Sequence, residues 1–212
     1  MFKDGYCKNC FFNYFFYIGI YHPTKCTSHL NIEHINLKKE KKIELQDHII
    51  YISLTGNIKV GITIKKNFFN RLMDQGAIKA IIIAITPNRY LSGIIENICK
   101  KKIPDRTNYI NMLTNNFIKN INLINIKNKI FNFIFKYYKK YKNYLYKNNK
   151  IYNFIYPVFK YPNKIKLFYL NYSNNIIENK LIGIKGQYLI FTNNTVLNMR
   201  KHIGSSINIK IL

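Results

Sequence analysis

Three cysteines and a histidine near the start of the chain have the spacing of a metal site. Cys7, Cys10, Cys26 and His29 follow the order C-x2-C-x15-C-x2-H. Two chelating pairs separated by a short loop are the pattern of a zinc knuckle or ribbon. Thiolates and an imidazole close a tetrahedron around Zn²⁺, and the metal supplies folding energy that a short segment lacks. The competing reading is that the thiols are small buried apolar residues, and His22, His34 and His48 show that histidine is not confined to the ligand position. Cys99 falls on the apolar stripe of a later helix and reads as core.

Arginine is the second informative type. The chain holds 39 Ile, 30 Lys and 31 Asn among 212 residues, a bias that follows from mutational drift in an AT-rich genome. A solvated face accepts Lys for most polar residues at small cost. The formal net charge of +25 is therefore read first as a Lys-rich surface, and only second as a phosphate-binding groove. Against 30 lysines stand four arginines, Arg71, Arg89, Arg106 and Arg200, and a planar five-donor guanidinium is not replaceable by Lys at a bidentate site. Arg71 precedes Asp74 by one helical turn, so an ion pair competes with a functional role. Arg200, Lys201 and His202 form a basic trio on or near a strand, suited to nucleic-acid contact or to a solvated edge.

The elements that must position these residues are legible from periodicity and punctuation. The strands "HIIYISL" and "IKVGIT", joined at "TGN", read as a β-hairpin. "NFFNRLMDQ" reads as a helix stopped at Gly76, "AIKAIIIAIT" as a buried strand, and "NRYLSGIIENICKK" as a helix with Leu91, Ile94, Ile95 and Ile98 on one face. Glu96 lies off that face. Thr107 and Asn108 suit a helix cap. "NLKKEKKIELQD" at 36–47 reads as a linker or exposed turn. Phe131, Ile134, Phe135 and Tyr138 have helical spacing, and turns at Pro162, Gly183 and Gly186 punctuate strands toward the end. The expected organisation is a Cys-rich segment at 1–35, a β-β-α-β-α core at 46–113, a helical connector at 114–150 and a β-rich domain at 151–212. No apolar run reaches the roughly 18 residues of a membrane span. "FFNYFFYIGIY" at 11–21 is not followed by a signal-cleavage site, so a cytoplasmic setting with reduced thiols and no membrane is expected.

Several strings carry a resemblance. "IIYISLTGNIKVGIT", "NRLMDQGAIKAI", "TPNRYLSGIIE", "DRTNYINML", "LIGIKGQYLIF" and "VLNMRKHIG" resemble, in order, the uncharacterised bacterial domain-of-unknown-function family twenty-seven ninety-seven. That family brings no established activity. Its members begin with a longer cysteine ribbon, which implies that this one is shortened, with a cysteine expected near Gly19.

More distantly, the core is similar to the GIY-YIG nuclease layout. The resemblance implies Tyr51 on the first strand helping to activate a water, Gly61 on the second strand, Arg71 stabilising phosphorane-like charge, and Glu96 holding Mg²⁺ or Mn²⁺. The second motif tyrosine is replaced in the Lys59, Val60, Gly61 stretch, a loss assigned to Val60. The literal "YIGIY" at 17–21 reads as coincidence. The fold class expected is α/β (α+β). The leading function is a nucleic-acid-binding module, contacting DNA or RNA through Lys59, Gly61, Arg89, Arg200 and Lys201. A metal-dependent nuclease using Tyr51, Arg71 and Glu96 is one alternative, and a protein-interaction scaffold is the other.

Overall fold

Isoleucine-rich runs separated by turn residues build the first sheet. β1 (His48–Thr55) and β2 (Asn57–Ile64) form an antiparallel hairpin. Gly56 turns it at φ 74°, where an added Cβ would stand 2.1 Å from the Asn108 carbonyl oxygen. β3 (Lys79–Thr86) pairs with the other edge of β1, and β4 (Ile151–Asn153) pairs with β3, giving the order β2-β1-β3-β4. The computed structural model describes residues 7–11, 22–34, 36–117, 120–170, 176–204 and 208. The "YIGIY" string and Gly19 lie outside the described residues.

The longer helices are α1 (Leu37–Glu44), α2 (Phe68–Asp74), α3 (Arg89–Lys100), α4 (Tyr109–Leu113) and α5 (Leu123–Tyr137). Side chains alternate across a strand, so β1 serves two cores. Ile50 and Ile52 face Ile95, Ile98 and Cys99 of α3 together with Ile130 and Ile134 of α5. Ile49 and Tyr51 face the other way, onto Phe68 and Leu72 of α2. α5, expected as a connector, therefore supplies part of the main core. β4 comes from the segment assigned to the C-terminal β-rich part, yet belongs to the first sheet.

The charged stretch at 36–47 is a helix rather than a linker. Asn36 caps α1 by accepting from the Lys39 N–H at 2.9 Å. Glu40 and Glu44, one turn apart, are buried. Glu40 accepts from the backbone N–H groups of His34 and Asn36, and Glu44 from that of Ser28. Charge composition concealed a helix whose two acids hold the preceding loop.

The second sheet comprises β5 (Lys166–Phe168), β6 (Leu181–Lys185), β7 (Tyr188–Phe191) and β8 (Thr195–Asn198), ordered β5-β8-β7-β6 with β5 and β8 parallel. Met112 and Leu113 of α4 pack with Ile190 and Val196 of this sheet. Lys185 is fully buried, its amine 4.8 Å from the Phe117 ring centroid and 4.7 Å from that of Tyr161. At the β6–β7 turn, a Cβ on Gly186 would meet the Asp74 carbonyl oxygen at 2.8 Å. "GIKGQYLIF" thus docks on the end of "RLMDQGA". Among the described residues no helix is long and apolar enough to cross a membrane.

Candidate functional site

The hairpin register sets Tyr51 opposite Gly61. The fully buried phenol lies across β2, and a Cβ on Gly61 would stand 2.7 Å from Tyr51 Oη. Glycine is required there by close approach of the ring. Tyr51 Oη donates to Gln75 Oε1 at 3.0 Å, and Gln75 follows Arg71 by one helical turn. The Phe68 ring meets the tyrosine edge-on at 5.9 Å. Burial pushes the phenol up to about 12, with the neighbouring Arg71 guanidinium pulling in the opposite direction. No ion pair joins Arg71 to Asp74 among the described residues; the guanidinium serves the phenol instead.

Lys59 shares the face of Gly61, two residues away on β2. Its amine is buried and donates to Thr107 Oγ1 at 2.8 Å. Burial and then Arg71 lower Lys59 to about 8, while Asp105 and Glu96 favour its charged form. Val60 points to the opposite face, 1% exposed within the main core. Val60 thus points away from Tyr51, and the residue of β2 that shares the face of Gly61 is Lys59.

Glu96 is also buried rather than solvated. Its Oε2 lies 3.3 Å from Lys100 Nζ, and the same amine lies 3.1 Å from Asp105 Oδ2. Burial raises the Glu96 carboxyl, opposed by Lys100. Glu96 lies within electrostatic reach of Tyr51, Lys59 and Arg89. The structure thus brings Tyr51, Lys59, Gly61, Arg71 and Glu96 together from β1, β2, α2 and α3. Arg89 joins at the margin, where it faces Cys26, Glu44, Glu96 and Arg71, and burial lowers its basicity.

A family model described as a protein of unknown function, DUF2797, matches residues 1–207. The chain belongs to the DUF2797 family. No curated protein and no solved structure matches this DUF2797 chain.

Among the described residues, Cys7, Cys10, Cys26 and His29 stand in separate surroundings. Cys7 and Cys10 are exposed, with the Cys10 N–H donating to Cys7 Sγ at 3.3 Å. Cys26 is buried against Arg89, and burial drives its thiol up to about 11. His29 stacks on Tyr90 at 4.5 Å. Among the described residues no three His, Cys, Asp or Glu side chains are grouped as a metal would need. Arg200 and Lys201 lie on the short 3-10 turn Met199–His202 that follows β8, apart in sequence from the first site.

Two participants escaped sequence reasoning. Gln75 orients the phenol, and Thr107 receives Lys59 across a separation of 48 residues. Strand alternation was a usable signal for Lys59, and helical spacing from Arg71 was one for Gln75.

Proposed function

We propose that this protein binds nucleic acid and that the Tyr51–Lys59–Arg71–Glu96 cluster receives a backbone phosphate. The supporting observation is convergence: Tyr51, Lys59, Arg71 and Glu96 come from separate elements into one mostly buried cluster, in which the cations Lys59, Arg71, Arg89 and Lys100 outnumber the carboxylates Glu44, Glu96 and Asp105. A guanidinium offers paired donors to phosphate, and a low-dielectric setting strengthens each contact. Tyr51, held by Gln75, supplies a fixed hydroxyl, and Glu96 repels a wrongly seated anion.

A GIY-YIG-like core with metal-dependent phosphodiester cleavage is the second reading, favoured by the Glu96 carboxylate lying in the same cluster. The donor set suits a divalent ion held jointly by one carboxylate and substrate phosphate. Such an ion, when bound, would stabilise the departing oxygen. In hydrolysis the water oxygen would bond to phosphorus as the ester P–O bond breaks, one proton ending on the leaving oxygen. The binding reading ranks first because the Tyr51 proton is held up to about 12 and directed at Gln75, which makes the phenol a poor base.

The test is fluorescence anisotropy with labelled single- and double-stranded DNA and RNA, run with and without Mg²⁺ or Mn²⁺ and followed by gel analysis. Salt-sensitive binding that weakens in Arg71→Ala without cleavage supports the first reading. Cleavage abolished by Glu96→Gln moves the assignment to the second. Absence of binding at low salt overturns both and leaves the interaction scaffold.

A further inference from the structure

The rings of Tyr109 on α4 and Tyr188 on β7 are parallel to within 5°, with their centroids 6.4 Å apart. Phe69–Phe154 at 6.4 Å and Phe131–Phe135 at 6.3 Å are as widely spaced, but their rings are inclined by 53° and 86°. His29 and Tyr90 stack directly at 4.5 Å, while Phe68 meets Tyr152 edge-on at 5.2 Å and 73°. Successive bases in a strand are about 3.4 Å apart, so one ring inserted between two others needs close to twice that separation. A cavity of about 200 Å³ lies here, lined by both tyrosines with Leu167, Tyr169, Asn198 and Lys201. It is smaller than the ~300–1,000 Å³ of drug-sized sites, on the scale of a single ring system.

The polar groups are arranged around that gap. Asn198 sits beside the Tyr188 hydroxyl. Its Oδ1 accepts from the Arg200 N–H at 3.1 Å, and its amide nitrogen retains donor capacity. Lys201 Nζ donates to Tyr169 Oη at 3.3 Å and lies 4.7 Å from that ring's centroid, an exposed cation at the rim. We propose that Tyr109 and Tyr188 form a slot for one unpaired nucleobase, with Lys201 placed for the adjoining phosphate. Stacking between aromatic rings is the sequence-tolerant way in which proteins hold unpaired bases.

The slot deepens the nucleic-acid reading and rests on it for the ligand's class. The backbone also connects the two sites. Lys59 is tied to Thr107, and Tyr109 follows Thr107 by two positions, at most about 7 Å of chain. The hairpin tip fixes this connection: Asn57 donates to the Arg106 carbonyl at 3.1 Å and accepts from the Asn108 N–H at 2.9 Å. A strand with one phosphate at Lys59 and Arg71 would pass a neighbouring base toward Tyr109.

The experiment uses the full chain and a thymidine oligonucleotide carrying one 2-aminopurine and a terminal dye, with adenosine monophosphate titrated separately. Expected is quenching of 2-aminopurine emission on binding. Tyr109→Ala loses the quench and weakens affinity roughly tenfold, Tyr109→Phe retains both, and an abasic residue in place of the 2-aminopurine weakens binding to a similar degree. Lys201→Gln should weaken the strand more than a neutral nucleoside. Circular dichroism melts of each variant separate these effects from misfolding, and Tyr109→Phe reads the ring without altering its bulk. Strand binding indifferent to both Tyr109→Ala and base removal would overturn the slot while sparing the phosphate site. Tyr109-dependent binding of adenosine monophosphate without strand binding would keep the slot and overturn the nucleic-acid reading.

Discussion

The Tyr51 hydroxyl occupies the space that a side chain at Gly61 would need, since a Cβ there falls 2.7 Å from the oxygen and 2.8 Å from Cζ. The ring cannot easily yield, being held by Gln75 at its tip and by Phe68 at its edge. Gly61→Ala should therefore destabilise the fold by about 1–3 kcal/mol, as overpacked cores do. It should also weaken the proposed nucleic-acid binding by displacing the phenol. Urea denaturation and anisotropy on the same preparation read the two effects.

Arg71→Lys keeps the net charge and removes the fork. If the guanidinium grips phosphate through two donors, affinity falls about tenfold at fixed salt, while the slope of log affinity against log salt is unchanged. Arg71→Ala should reduce that slope by about one as well. Equal affinity for wild type and Arg71→Lys would mean that only diffuse charge is at work.

His48 gives a pH signature. The ring is fully buried at the start of β1, its Nδ1 2.7 Å from the Gln46 carbonyl oxygen, and burial lowers it to about 4. The unfolded imidazole titrates near 6.5, so between pH 6.5 and 4 the unfolded chain binds the extra proton. Stability is thus fully present above pH 6.5 and declines as pH falls through that window, by up to about 3 kcal/mol. His48→Gln has no such titration. The difference in unfolding free energy between the two proteins, measured at steps from pH 7 to pH 4, should shrink by that amount.

The thiols divide into two exposed, Cys7 and Cys10, and two buried, Cys26 and Cys99. Native alkylation followed by peptide mass analysis should label the first pair within minutes and the second only after denaturation. Zinc bound in the expected ribbon would reverse this for Cys7 and Cys10. Their protection by one equivalent of Zn²⁺, with matching metal content, is the result that the four-ligand site requires.

Local signals located most of the first sheet. The β1–β2 hairpin, β3 and the helices α2 and α3 announce themselves through apolar periodicity, with Gly56 and Gly76 as punctuation. Lysine drift hid α1: only the pairing of Glu40 with Glu44, two of nine acids in the whole chain, marks its inward face. The two-residue period of a strand is enough to set Lys59 on the face of Gly61 and Val60 on the other. What no window of sequence contains is long-range pairing. The parallel match of β5 to β8 and the approach of Tyr109 to Tyr188, 79 positions away, depend on how α4 meets the second sheet. The cysteine spacing carries a metal pattern, and it gives no hint that Arg89 lies against Cys26 or that Tyr90 stacks on His29.

β4 covers the outer edge of β3, and the chain continues directly from it toward the second sheet. A shortened version ending at residue 150 would bare part of the β3 edge, one of the most isoleucine-rich in the molecule, as a template for self-association. It would also remove the Gly186 turn seated on the end of α2, next to Gln75. Splitting the chain between its sheets is thus a route to self-association, and a fragment ending there should aggregate more readily than the intact chain.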